Sequence, residues 1–258
     1  MFEKLFKLSE RNTTVRNEII GGTTTFLAMV IVLLAISSTS CAQTRNANDK
    51  FEVDDFTTIK ASVVGNVVIT QSNTTSVTAE GSEEMLDKLD VRMNNGKLVL
   101  DMDDRHRKLF KRNTGKLTIR IATPTLTEID FEGVGNINIE GTFNTPQLVI
   151  NSEGVGNLTA HNLQSDYVKI SSEGVGNTIV GGKASKVEID SEGVGNVEAD
   201  KLIAREAIVT SEGVGNVSCY ASEYLKANSR GIGNVKYYGK PKETELSKNG
   251  IGKIRAGN

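Results

Sequence analysis

Tryptophan is absent from this 258-residue chain, and cysteine and histidine occur only twice each. Cys41 and Cys219 supply neither a disulfide framework nor a CxxC metal motif. His106 and His161 belong to no recognisable ligand spacing, so neither a metal nor another cofactor is expected. A charge excess is also missing, since 30 Lys and Arg face 32 Asp and Glu. No basic surplus calls for a nucleic-acid partner. Proline is scarce at 3 residues, whereas glycine reaches 25. That composition suits a soluble, β-rich protein.

The glycines are not scattered. Ser-Glu-Gly-Val-Gly-Asn returns with small changes, its second glycine falling at Gly135, Gly156, Gly176, Gly195, Gly215, Gly233 and Gly252. The steps from copy to copy all stay close to twenty. A fixed period of that size means one structural unit stacked on its own copies. The flanks alternate with period two, as in Val187, Ile189 and Ser191, then Val197 and Ala199. Each repeat therefore reads as one coil of a β-solenoid.

In-register stacking turns the motif into columns, with equivalent residues about 4.8 Å apart. Ser152, Ser172, Ser191, Ser211 and Ser229 form one column. Glu132, Glu153, Glu173, Glu192 and Glu212 form a second, which ends in Arg230. Val134, Val155, Val175, Val194, Val214, Ile232 and Ile251 form a third. Asn136, Asn157, Asn177, Asn196, Asn216 and Asn234 form a fourth, whose amides can hydrogen-bond along the stack. Glycines bracket the Val column where the backbone must bend or adopt positive φ.

The chain opens on a different note. No charged residue lies between Glu18 and Arg45, and Phe26 to Ile36 is unbroken apolar sequence. Lys4, Lys7, Arg11 and Arg16 precede it, which favours a cytoplasmic N-terminus and an exported remainder. Residues 1–42 read as a signal peptide or hydrophobic anchor helix, 43–50 as a tether and 51–258 as the solenoid. Cys41 is the lipidation candidate; a signal-peptidase cut before Gln43 is the competing reading. The position three before Cys41 holds Ser38, where lipoprotein signals usually have Leu. At the start, Phe2-Glu3-Lys4-Leu5-Phe6-Lys7-Leu8, then Asn12 to Arg16 and Thr24 to Met29, resembles the N-terminus of guanine/hypoxanthine permeases. The similarity covers about thirty residues, too few for a transporter of a dozen spans.

Between tether and array the pattern is irregular. Ile59, Ser62, Val63, Val64, Gly65, Asn66, Val67 and Ile69 form a worn copy of the repeat. Ser82 to Leu89 suits one or two helical turns shielding the solenoid's open end. Segments from Gly96 and from Gly115 read as two further strands. Between them Arg105, Arg107, Lys108, Lys111 and Arg112 form the densest basic run. As a site, it would grip sulfated or phosphorylated polymers or an anionic bilayer. As a solvated hairpin loop it needs no ligand, and that is the reading adopted.

Later repeats carry inward pairs such as Leu148/Ile150, Val168/Ile170, Val187/Ile189 and Leu225/Ala227, and after each motif Ile137/Ile139, Leu158/Ala160, Val197/Ala199 and Val217/Cys219. Cys219 is thus core filler rather than nucleophile. The last copy, Lys248 to Lys253, loses Glu and Asn and gains charge, as a terminal cap requires. The Glu column is expected to splay into solvent, because stacked carboxylates about 5 Å apart repel by ~1 kcal/mol even in water. For the Val column two placements remain open. Strict alternation exposes it as an apolar docking ridge, whereas a sharp corner at the glycines turns it into core.

These features together resemble the head GIN domain family of autotransporter adhesins. The Gly-x-Gly spacing, the inward pairs, Gly231-Ile232-Gly233-Asn234 and Gly250-Ile251-Gly252-Lys253 carry the resemblance over about residues 51–258. It implies a right-handed, pectin-lyase-like β-helix in the envelope of Bacteroidota-type bacteria, with adhesion as a proposal. The family usually places Ser between and before the glycines; Val and Glu stand there in this chain. The function expected is a non-catalytic, exported surface-binding solenoid. Its partner would be an envelope, glycan or protein ligand, with membrane attachment through the N-terminal segment or a lipid, and self-association left open. The alternatives are a polysaccharide lyase or hydrolase and a purely structural spacer. Catalysis needs a localised acid–base or Ca²⁺ cluster, whereas here the same side chains recur in every coil.

Overall fold

The computed structural model describes residues 46–102 and 116–257. It is all-β, 69% strand and 2% helix, wound as a β-solenoid of about six turns. The long array strands are β9 (Ile137–Ser152), β10 (Leu158–Ser172), β11 (Thr178–Ser191) and β12 (Val197–Ser211). They stack in parallel register, with Leu158 opposite both Ile137 and Thr178. Beyond them the two halves of each coil separate into β13 (Val217–Tyr220), β14 (Tyr224–Ser229), β15 (Val235–Tyr238), β16 (Glu243–Lys248) and β17 (Ile254–Ala256).

Each turn buries apolar residues along its inner wall. The pairs flanking the motif, from Ile137/Ile139 to Val217/Cys219 and from Leu148/Ile150 to Leu225/Ala227, all lie within 3% of full burial. Fully burying one such side chain contributes roughly 1.5–3 kcal/mol, so the wall is the main source of stability. A third inward set, Phe143, Leu163, Leu202 and Ala204, fills the middle of β9, β10 and β12, while β11 has Gly182 in register with Leu163 and Leu202. Periodicity does not reveal it, because the register shifts at Ala160/Asn162 and Ile179/Gly181 interrupt the alternation.

The N-terminal end is built differently. The worn repeat supplies β2 (Thr58–Ser62) and β3 (Asn66–Gln71). These pair in parallel with β8 (Glu128–Phe131) and β9 on one side. On the other side they pair with β6 (Lys97–Met102) and β7 (Leu117–Thr123). The first coil therefore lies between strands that follow it in sequence. Two antiparallel partners then cover β6 and β7: β5 (Leu89–Asn94) on β6, and β4 (Ser76–Ser82) on β7. Asn95 and Gly96, both at positive φ, form the two-residue hairpin between β5 and β6. Asn-Gly is a strong hairpin signal that the repeat-based reading did not use.

The short helix α1 (Glu83–Leu86) lies where Ser82 to Leu89 predicts one, with Met85 and Leu86 buried in the core. Strand β1 (Asn46–Phe51) pairs antiparallel with β4 and so occupies most of the stretch read as a tether. The reason is an open edge on β4, whose backbone needs partners whatever side chains the incoming strand carries. The hydrophobic segment, Cys41, the permease-like start and the basic run at Arg105, Arg107, Lys108, Lys111 and Arg112 lie outside the described residues. Among the described residues no helix is long and apolar enough to cross a membrane.

Candidate functional site

The corner of each coil is the Glu-Gly-Val-Gly-Asn segment, and its geometry follows from what glycine permits. Gly195 has φ +152°, and a Cβ placed there would overlap the Gly176 carbonyl oxygen of the preceding coil. The first glycine, Gly193, would likewise overlap Gly174. A side chain at either position of a coil stacked on a preceding Gly-Val-Gly corner therefore collides with backbone; Val63, in the first coil, occupies the first of the two columns. The residue between them is pushed to the outside. Val64, Val134, Val155, Val175, Val194, Val214, Ile232 and Ile251 join in one continuous line of parallel bridges. Their exposure runs from 42% at Val64 to 72% at Ile251. Of the two placements left open, the outward one is correct, and the molecule carries an apolar ridge along its axis.

The Glu column runs beside this ridge and is exposed throughout. Ion pairs reach it at its two ends. Lys60 donates to Glu132 at 2.7 Å and Ser62 adds a hydrogen bond at 3.1 Å. At the other end Arg230 approaches Glu212 at 2.6 Å. The Lys60 hydrogen bond, helped by Ser62, holds the Glu132 carboxyl below the usual carboxylate range. Among the described residues, no cluster of His, Cys, Asp or Glu could hold a metal ion.

On the other side runs the Asn column. Each amide nitrogen donates to the Oδ1 of the preceding Asn, from Asn136 onto Asn66 at 3.0 Å to Asn234 onto Asn216 at 3.1 Å. The same Oδ1 also accepts the next coil's backbone N–H, and Lys253 closes the series on Asn234. An amide carries two N–H donors and the ladder uses one. The second N–H, at Asn136, Asn157, Asn177, Asn196, Asn216 and Asn234 alike, takes no part in the ladder. The corner thus presents three parallel stripes: carboxylates, apolar side chains and amide donors.

The remaining candidates are structural. Cys219 is fully buried. Burial, reinforced by Asp200, pushes its thiol up to about 12 and keeps it a neutral filler. The Ser column passes from half-buried at Ser152 and Ser172 to buried at Ser191, Ser211 and Ser229. Burial and a hydrogen bond to Glu188 push Tyr167 up to about 12, and Lys186 pairs with the same carboxylate at 2.6 Å. That network ties adjacent coils on the outer face.

The corner thus repeats one chemistry in coil after coil of a β-solenoid. The family model "Putative auto-transporter adhesin, head GIN domain" matches residues 55–241, and the chain belongs to that family. A solved putative adhesin from Bacteroides fragilis NCTC 9343 is 35% identical, with a TM-score of 0.80 over 83% of this chain and 98% of that one. A putative lipid binding protein from Parabacteroides distasonis ATCC 8503 shares the fold at 20% identity and TM-score 0.58, over 84% of this chain and 98% of that one. A putative adhesin from Parabacteroides merdae ATCC 43184 does so at 18% and 0.57, over 84% and 98%. No curated protein matches significantly.

Proposed function

We infer that this protein is an exported, non-catalytic envelope solenoid that binds a surface partner along its corner ridge. The observation that carries the reading is the exposure of the Val column. Eight β-branched residues stand in line on the outside, where stacking asks only for glycines beside them. A contiguous apolar strip of that kind marks a contact surface. The polar stripes on either side would supply orientation, since polar groups around an apolar centre fix register more than affinity.

Adhesin membership and the Bacteroides fragilis relative support the binding role. Export and attachment through Cys41 or an uncleaved hydrophobic segment remain part of the proposal, resting on the sequence before Arg45. The coil is taken as right-handed because parallel crossovers almost always are. The test is retention of the full-length protein on envelope fractions and whole cells, compared with a Val155→Lys/Val175→Lys/Val194→Lys variant. All three positions are solvent-exposed, so the fold should survive, which circular dichroism checks. Loss of retention supports the ridge. Unchanged retention removes it as the contact, and turnover of a glycan abolished by one point mutation would restore the enzyme alternative.

A further inference from the structure

Beside the uniform ladders, one outward column changes from coil to coil and turns basic at its C-terminal end. The outward column following the Asn stripe reads Glu198, Ser218, Lys236 and Arg255 in direct register. Two cations therefore occupy neighbouring coils about one strand spacing apart, ~4.8 Å, where mutual repulsion disfavours them. Among the described residues neither is ion-paired with a carboxylate. Lys236 instead lies 4.9 Å from the centre of the Tyr238 ring, a cation–π contact that holds its ammonium in place.

A groove of about 370 Å³ opens here, within the range of ~300–1,000 Å³ typical of small-ligand sites. Asn216, Asn234, Ser218, Lys236, Arg255 and Glu198 line it. Tyr220 stands in register with Tyr238 on the neighbouring coil, both half-buried and outside the groove's lining. The donor set is asymmetric. Two cations and the spare amide hydrogens of Asn216 and Asn234 favour an anionic group at the C-terminal side. Glu198, at the other side, can only accept hydrogen bonds, and Ser218 is oriented by donating to Asp200 at 2.8 Å. An anion rich in hydroxyls satisfies both ends; a bare phosphate leaves Glu198 opposed.

We propose that this groove binds an acidic carbohydrate, whose carboxylate or sulfate sits between Lys236 and Arg255 and whose hydroxyls reach Glu198 and the Asn amides. The inference rests on the reading of the chain as a surface-binding module and adds a second, chemically selective contact to the apolar ridge. The test is calorimetric titration of the full-length protein with hexagalacturonate, with a sulfated maltohexaose, and with neutral maltohexaose. One or both acidic sugars should bind at least about tenfold more tightly than the neutral one, and Lys236→Gln/Arg255→Gln should remove that advantage. The two acidic probes separate carboxylate from sulfate recognition. Affinity should also weaken as salt is raised, a readout independent of the variant's folding.

Equal affinity for neutral maltohexaose, or acidic binding unaffected by the double variant, overturns the proposal. So does binding of anionic phosphatidylserine vesicles without binding of either acidic sugar. Acidic sugar binding lost in Val175→Lys but kept in the double variant transfers the contact to the ridge and overturns it too. If envelope retention persists while all hexasaccharides fail, the groove proposal falls and the surface-binding reading stands. If both fail, both fall.

Discussion

In the array, Val175 is bridged to Val155 and Val194, its counterparts in the adjacent repeats; at the N-terminal end Val64 is bridged to Val134, across a far longer stretch of chain. The spatial contact is the same, and the route to it differs. Closing a loop of roughly 70 rather than roughly 20 residues costs only about 1 kcal/mol more, because loop entropy grows logarithmically. Burial of Ile59, Ala61, Val67 and Ile69 on both sides far exceeds that. The comparison teaches that the solenoid tolerates a long excursion between coils provided the columns resume in register. It also shows two ways to finish a stack. The N-terminal end is covered by antiparallel strands and α1, whereas at the other end β16 is exposed along its whole length.

The sharpest test of this difference is at the glycines. Gly195→Ala places a methyl group against the Gly176 carbonyl with intact coils on both sides, and should cost roughly 3–5 kcal/mol from overpacking and strain together. A urea midpoint close to that of the parent would mean the coils can shift apart. Gly252→Ala meets the same obstruction against Gly233, but its coil can lift away from the stack, so a smaller loss is expected. Gly96→Ala, in the N-terminal hairpin, has positive φ with open space around it and should cost only about 1–2 kcal/mol.

The Asn ladder gives the next contrast. Asn177 both donates to Asn157 and accepts from Asn196, so Asn177→Ala should lose ~1–2 kcal/mol by urea denaturation. Asn66, at the start, only accepts in the ladder, and Asn66→Ala should lose clearly less. Equal losses would mean the bonds are exchanged for water along the whole column.

The smallest effects belong to the glutamates. Glu192→Gln should be neutral or slightly stabilising, since it relieves repulsion within the column. Glu132→Gln should be slightly destabilising, because it weakens the Lys60 contact. The pH dependence follows the same sign. The Glu132 carboxyl is lowered in the folded protein, so its contribution is present above the unfolded carboxylate pKa, about 4.3, and fades as pH falls through the folded value. Thermal melts at pH 7 and pH 3 should differ less for Glu132→Gln than for the parent. A full-sized difference would place the acid sensitivity elsewhere. Unfolding by Glu192→Gln would make the column a ligand site.

Much of this molecule is legible in its sequence. The regular return of Gly-Val-Gly specified parallel coils, and period-two alternation identified the inward pairs, because in-register stacking forces each column to repeat one chemistry. The worn copy at Val64 to Asn66 was recognisable for the same reason. Phe143, Leu163 and Leu202 were not, since bulges break the alternation around them. The Lys236 and Arg255 groove was invisible until register placed residues from different coils in one column. Tertiary structure alone decided which way the ridge faces and what flanks the first coil. A Gly-Val-Gly corner can turn its Val either way on local grounds, and only the neighbouring coil's carbonyl oxygens, pressed against both glycines, force it outward. Likewise no sequence period marks a pairing as distant as Val64 with Val134, so the place of β2 and β3 between β6, β7 and β8, β9 was set by burial of the shared core.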